Sequence, residues 1–261
     1  MKRRHWLAAS AFAGLSALGA SRSDSAAQRS PRQFYSLKRY QLRNGPQQKL
    51  VDDFLREAAV PALNRAGARP VGVLYGIVGP ENPSVYVLVP HPSLEAFATI
   101  DAKLSQDAEF RERGAAYFDA PATHPAYVRF EISLLEAFES FPRIEAPPTN
   151  EKRIFELRTY ENPSEKANLT KLQMFNTAEI SIFRHNGFRP VFFGNTLFGD
   201  RMPKLTYMLT FRDLEERQAR WTAFGADPAW KKLSTTRGYT DPEIITNITN
   251  SFLNPAPYSQ I

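Results

Sequence analysis

The groups in this 261-residue chain that could do chemistry are few, and most lie in its second half. Glu179 follows Phe175 by four residues and precedes Ile182 and Phe183 by three and four, which puts a carboxylate on or beside the apolar stripe of a helix. Buried there, it would serve as a base or a ligand anchor; at the stripe's edge it would only reach water. Arg158 and Tyr160 alternate with Phe155 and Leu157, so in a strand they share the face opposite those apolar side chains. In a partly dry pocket they would orient a carboxylate or phenolate through charge-assisted hydrogen bonds. Arg189, before Pro190, serves either such a site or the turn into a strand. Asn195, after Val191-Phe192-Phe193-Gly194, marks either a ligand contact or a bulge. The candidate ligand-binding residues are therefore Arg158, Tyr160, Glu179, Arg189 and Asn195, with no catalytic residue assigned.

Other chemistries find little support. His91, His124 and His185 are separately placed, and each is either a lone metal or haem ligand or an ordinary capped or surface histidine. No HExxH, P-loop, dinucleotide fingerprint or nucleophile elbow is present, and we expect neither cofactor nor metal. The absence of cysteine excludes a disulfide framework, a thiolate zinc site, an iron–sulfur cluster and a cysteine nucleophile.

The elements that must position these residues come from a repeat. At an offset of 120 residues, without a gap, Leu37 aligns with Leu157, Tyr40 with Tyr160, Gly67 with Gly187, and Arg69-Pro70-Val71 with Arg189-Pro190-Val191. A period this long marks a duplicated domain rather than a solenoid, whose repeats run at ~20 to 50 residues. Within each copy the pattern predicts a strand carrying Tyr35 and Leu37 or Phe155 and Leu157. A helix follows, from about Pro46 to Asn64 with a kink at Pro61, or from about Ser164 to Asn186, stopped by Gly67 or Gly187. Two strands follow, Val71 to Val78 and Val85 to Val89, or Val191 to Phe198 and Leu205 to Thr210. A second helix opens at Ser93 or Asp213, and a last strand spans Tyr127 to Leu134 or Ile244 to Leu253. The order βαββαβ is that of the ferredoxin-like fold. The expected organisation is an export signal over 1–27, one domain over 33–140, a Pro-rich linker over 141–152 and a second domain over 153–261.

Phe155-Glu-Leu-Arg-Thr-Tyr160, Asp213-Leu-Glu-Glu-Arg217, Trp221 and Ala226-Asp-Pro-Ala-Trp230 resemble the opening strand and second-helix signature of NIPSNAP domains. The first copy is looser, keeping Phe34-Tyr-Ser-Leu-Lys-Arg-Tyr40 but carrying Ala108-Glu109-Phe110 where Pro-Ala-Trp is expected. The resemblance implies a dimeric α/β-barrel, with two tandem ferredoxin-like domains packed sheet to sheet in one chain. It implies no reaction, because relatives in that superfamily range from cofactor-independent monooxygenases to lactone isomerases and haem enzymes. It places Arg158 and Tyr160 on the sheet face closed over a cavity. That cavity, between the sheets or beneath the helices, would be lined also by Asn195, with Glu179 and Arg189 near its rim.

Charge adds little. The formal +6 includes Lys2, Arg3, Arg4 and Arg22 against Asp24, leaving about +3 without a basic cluster, so no nucleic-acid partner is expected. The paired arginines before the short apolar run Trp6 to Ala20 predict twin-arginine export to the periplasm or out of the cell, with cleavage near Ala27 and no membrane span in the mature form; a plain Sec signal or a retained N-terminal anchor is the alternative. Three functions stay open. They are a binding module for a small, partly apolar molecule, a cofactor-independent oxygenase or isomerase using Glu179 or a histidine as base, and an assembly protein with a filled interior. An intramolecular pseudo-dimer is expected in each case, with or without further self-association.

Overall fold

The computed structural model describes residues 31–43, 45–77 and 82–261, so the expected export signal lies outside the described residues. Strand β1 (Phe34–Gln41) leads into helix α1 (Pro46–Phe54), a π-helical turn (Leu55–Ala59) and α2 (Val60–Arg65). Then come β2 (Gly72–Gly76), β3 (Ser84–His91), α3 (Leu94–Gln106), α4 (Ala108–Phe118) and β4 (Arg129–Ala137). The order recurs as β5 (Ile154–Glu161), α5 (Glu165–Met174), a second π-helical turn (Phe175–Glu179), α6 (Ile180–His185), β6 (Arg189–Phe198) and β7 (Lys204–Phe211). Helices α7 (Leu214–Ala226), α8 (Pro228–Ser234) and α9 (Asp241–Ile244) precede β8 (Asn247–Pro255).

Local chemistry sets most of these boundaries. Ser93, Ser164 and Asp213 cap α3, α5 and α7 by accepting from the backbone N–H groups of Ala96, Ala167 and Glu216 at 3.1, 3.2 and 2.8 Å. Gly67 and Gly187 take φ of 89° and 73°, the left-handed geometry that stops a helix without a Cβ penalty. The single second helix expected in each half is divided, because Asp107 and Asp227 cap a new start: Asp107 Oδ1 accepts from Phe110 N, and Asp227 Oδ1 from Ala229 N. The break near Pro61 is a π turn rather than a proline kink. The same turn forms in the second half around Phe175–Glu179, which contains no proline.

All eight strands are antiparallel and close into one barrel in the order β1-β3-β2-β8-β5-β7-β6-β4. Within each half the strands run first to third to second with the fourth beside the first, and two short seams join the halves. One pairs Leu74, Tyr75 and Gly76 of β2 with Pro255, Asn254 and Leu253 of β8; the other pairs Leu134–Ala137 of β4 with Phe198–Gly194 of β6 across a bulge. The two sheets therefore join edge to edge, which removes the free edges that isolated four-stranded sheets would present. The segment 141–152 carries no regular helix or strand, yet it is anchored. Phe141 is buried, and Glu145 N donates to Val191 O at 2.9 Å.

The core has three main parts. Tyr35, Leu74, Leu88, Phe155, Met208 and Leu253, drawn from both halves, fill the barrel interior. Outside it, Val51, Phe54 and Leu63 pack on Val73, Val85 and Val87 in the first half, and Phe175, Phe183 and Phe224 pack on Phe193, Leu205 and Tyr207 in the second. Each such fully buried aromatic or aliphatic side chain stabilises the fold by roughly 1.5–3 kcal/mol.

Gly194 is where the β4–β6 seam is tightest, since a Cβ there would stand 2.8 Å from Leu135 Cβ. Gly194→Val is expected to cost about 1–3 kcal/mol by overpacking and to lower the melting temperature by several degrees. Gly225→Ala, on an open face of α7, should leave it unchanged or raise it slightly; equal melting shifts for the two variants would contradict this account of the seam.

Candidate functional site

Where the seams part, the barrel opens. Residues Arg129–Ser133 of β4 and Asn247–Phe252 of β8 run past the last paired positions of their seams, and a cavity of about 310 Å³ lies between them and the other strands. Leu37, Leu157 and Leu253 form its apolar floor. Hydroxyl groups of Ser84, Ser133, Thr159, Thr206, Ser251 and Tyr86 line its walls, with Thr159 Oγ1 and Thr206 Oγ1 hydrogen-bonded at 3.0 Å. Ion pairs stand around the rim: Arg39 with Glu131 at 2.5 Å, Lys204 with Asp200 at 2.5 Å, and Arg201 with Asp200 at 2.9 Å.

The expected face assignment of β5 is reversed. Phe155 and Leu157 point into the barrel, whereas Arg158 and Tyr160 lie on its outside, beneath the helices of the second half. The reason is that both faces of β5 are covered, one by the barrel core and the other by a buried polar network. Glu156, fully buried, accepts from Arg158 Nη1 at 2.9 Å, Arg217 Nη2 at 2.7 Å and Trp221 Nε1 at 2.9 Å. Burial works to raise its pKa, but these donors outweigh it and hold the carboxyl below its usual range. Arg158 also reaches Tyr160 Oη at 3.3 Å and lies over the Trp221 ring, 4.5 Å from its centroid. Tyr160 and Tyr207 share a hydroxyl–hydroxyl bond of 2.8 Å, and burial lifts the Tyr207 phenol well above its ordinary value.

Glu179 is buried and paired with Lys171 at 2.9 Å, each side chain only 1% exposed. An uninterrupted helix would rotate these two residues about 80° apart over eight positions. The π turn absorbs one residue, which brings them to within about 20° of one another, two turns apart on the same face. The Lys171 ammonium is boxed by the rings of Tyr160, Phe175 and Trp230, with centroids at 5.5, 4.9 and 5.7 Å. Burial raises the Glu179 pKa against the pull of Lys171, whereas for Lys171 burial is outweighed by Glu179 and the pKa rises. In the first half the equivalent positions are Val51 and Ala59, a purely apolar pair.

The structure thus gathers Arg158, Tyr160 and Glu179 in one network and leaves the other two candidates outside it. Asn195 sits in the β4–β6 seam opposite Glu136, its Oδ1 buried without a partner. Arg189 is a surface residue facing Glu151 and Glu216 at 3.5 and 3.6 Å. None of the five lines the barrel cavity. Of the network residues not named in advance, Glu156 was readable from its alternation with Arg158 and Tyr160, whereas Lys171 was not, because its alignment depends on the π turn.

The first half carries a smaller polar cluster in the corresponding place. Ser36 Oγ and His91 Nε2 are 2.9 Å apart and buried, and burial, with the nearby Lys38 charge adding to it, lowers the His91 pKa to about 4. Burial also lowers that of Lys38, opposed by Asp101. His124 and His185 are exposed, and no group of three or more potential metal ligands occurs among the described residues. Among those residues no helix is long and apolar enough to cross a membrane.

The architecture is that of a closed, eight-stranded α/β barrel with a cavity of about 310 Å³. The chain belongs to the NIPSNAP family, whose model matches residues 35–122 and 155–260. A NIPSNAP-like domain protein of Burkholderia xenovorans is 23% identical over 42% of this chain and 90% of its own, with a TM-score of 0.38. A monooxygenase-like protein of Lactobacillus acidophilus aligns over 86% of this chain and 94% of its own at 8% identity and a TM-score of 0.57. An anthrone oxidase-like protein aligns over 88% and 95% at 12% identity and a TM-score of 0.51. No curated protein matches the sequence.

Two outcomes test this description. Lys171→Met, which leaves Glu179 buried and unpaired, should destabilise the fold by about 3–5 kcal/mol, while Lys171→Met with Glu179→Leu should recover most of that loss, as the apolar first half suggests. Chemical denaturation of both variants decides it, and a double variant no more stable than the single one would contradict the pairing argument. For His91, the folded pKa lies below the ordinary 6.5, so its stabilising contribution is present above pH 6.5 and is lost as pH falls towards 4. Wild type should lose about 3 kcal/mol more over that window than His91→Phe, whose residue matches Phe211 in the second half. Parallel stability–pH curves would refute it.

Proposed function

We propose that this protein binds a small, partly apolar molecule in the open mouth of its barrel. The observation that carries the reading is the cavity itself, a space of about 310 Å³ floored by leucines and walled by hydroxyls contributed by both halves. That size lies at the lower end of the range for small-molecule sites, and an apolar floor with a few convergent polar groups is their usual make-up. Of the five candidate residues, Arg158, Tyr160 and Glu179 serve such a ligand indirectly in this reading, from the network behind the wall. Arg158 and Tyr160 fix the outer face of β5, and Thr159 presents its hydroxyl from the inner face of the same strand.

An enzymatic role has weaker support. The monooxygenase-like and oxidase-like neighbours share the fold at 8% and 12% identity, and a shared fold hosts many chemistries. Glu179 is sealed against Lys171 rather than presented to the cavity. We further infer that the halves are two ferredoxin-like units descended from one duplicated domain. The ungapped 120-residue offset, the matching strand orders and the paired π turns support this. Arg3-Arg4 and the apolar run after them support export, so that the ligand would be met in the periplasm or outside the cell.

Mass spectrometry under non-denaturing conditions should find a molecule retained by the purified protein, or acquired from a compound library, with a stabilising thermal shift. Thr159→Trp and Thr206→Phe, which fill the cavity, should each abolish retention without unfolding the chain. Retention unchanged in both filled variants would place the ligand elsewhere and overturn the assignment.

A further inference from the structure

We infer that the barrel mouth selects an uncharged, oxygen-bearing molecule over either an anion or a cation, and that Asp200 sets this preference. The inference rests on the ligand-binding role proposed for the same cavity. Its first support is the wall chemistry. A hydroxyl both donates and accepts, so Ser133, Thr159, Thr206, Ser251 and Tyr86 can satisfy carbonyl, ether or hydroxyl oxygens alike, and none of them compensates a full charge.

The second support is that the rim cations among the described residues are already paired. Arg39 donates to Glu131 through both Nε and Nη2, at 3.1 and 2.5 Å. Lys204 Nζ meets Asp200 Oδ1 at 2.5 Å, Arg201 Nε meets Asp200 Oδ2 at 2.9 Å, and Arg201 Nη1 lies 3.4 Å from Glu161. Among the described residues, the three cations of the lining are thus each paired, Arg39 with Glu131, Lys204 with Asp200, and Arg201 with Asp200 and also with Glu161 just outside the lining. An incoming anion would have to displace one of those carboxylates and leave it beside the ligand, and a cation would do the same to an ammonium or guanidinium. Like charges so juxtaposed repel, which weakens binding of the ion. An uncharged ligand disturbs none of these pairs.

Asp200 is the pivot because it serves two cations at once and because Lys204 has little access to water, its side chain being 6% exposed. Partial burial tends to raise the Asp200 pKa, but Lys204 and Arg201 hold it at about 2, so it remains a carboxylate throughout the neutral range. Without that carboxylate the mouth would hold a poorly hydrated ammonium that a ligand carboxylate could pair.

Three probes of matched size test this on the full chain at neutral pH: 2-naphthylmethanol, 2-naphthoate and 2-naphthylmethylammonium, titrated by fluorescence. The alcohol should bind wild type about tenfold or more tightly than either ion. In Asp200→Asn the order of alcohol and naphthoate should reverse by a similar factor, and the new naphthoate affinity should fall with added salt. Either ion binding wild type as tightly as the alcohol, or a ratio unmoved by Asp200→Asn, would overturn the inference while leaving the cavity reading intact. Failure of all three probes to bind wild type, or binding indifferent to Thr159→Trp, would remove the cavity reading and this inference with it.

Discussion

The two short seams between the halves govern the rest of the molecule. With only three residue pairs between β2 and β8 and four between β4 and β6, the barrel is tightly closed along part of its height. There the leucine, phenylalanine and methionine side chains of both halves meet and fill it. Beyond the last pairs, where among the described residues Ile77 N still donates to Phe252 O at 2.9 Å, β4 and β8 continue along the walls of the cavity. The filled interior lies at the level of the paired seam residues, and the cavity beside the stretches of β4 and β8 beyond those pairs. Closure also fixes the faces, since a strand in a closed barrel has one side inside and one outside.

The outer faces are completed differently in the two halves. In the first, the helix–sheet layer is almost wholly apolar, with Val51 and Ala59 where the second has Lys171 and Glu179. Buried ion pairs are weak contributors to stability compared with well-packed apolar residues, so the second half gains little stability from carrying one. What the network supplies is orientation. Glu156 draws Arg158, Arg217 and Trp221 together from β5 and α7, and the tyrosine pair ties β5 to β7. Each connection fixes one side chain relative to its neighbour in a way that interchangeable apolar contacts do not.

Much of this was legible in the sequence, and the parts that were not have common causes. The caps at Ser93, Ser164 and Asp213 and the stops at Gly67 and Gly187 are local chemistry, and they stand where their residue types demand. The strand order within each half depends on contacts across the chain but is implied by the repeating pattern of periods. The faces of β5 were not legible, because alternation distinguishes two sides of a strand without saying which is inside when both are buried. The Lys171–Glu179 pair was hidden by the π turn, which shifts the helical phase by one residue with no proline or glycine in the segment to announce it. The cavity was hidden for a different reason. Thr159 and Thr206 are ordinary strand formers, and only the length of the distant seams decides whether they are packed or open.

Those two hidden features share a wall. Successive residues of β5 point to opposite sides, so Arg158 and Tyr160 in the network flank Thr159 in the cavity. On β7, Tyr207 of the network likewise follows Thr206 of the cavity. Any shift of the network that moved these strands would change the spacing of the two threonine hydroxyls. A site holds its ligand groups well only when the layer behind them is itself immobilised. The polar network therefore makes physical sense without lining the cavity: it stiffens, from behind, the wall that carries the Thr159 and Thr206 hydroxyls. The opposite wall stiffens itself, because Arg39 and Glu131 are cross-strand neighbours whose ion pair lies directly on the cavity surface.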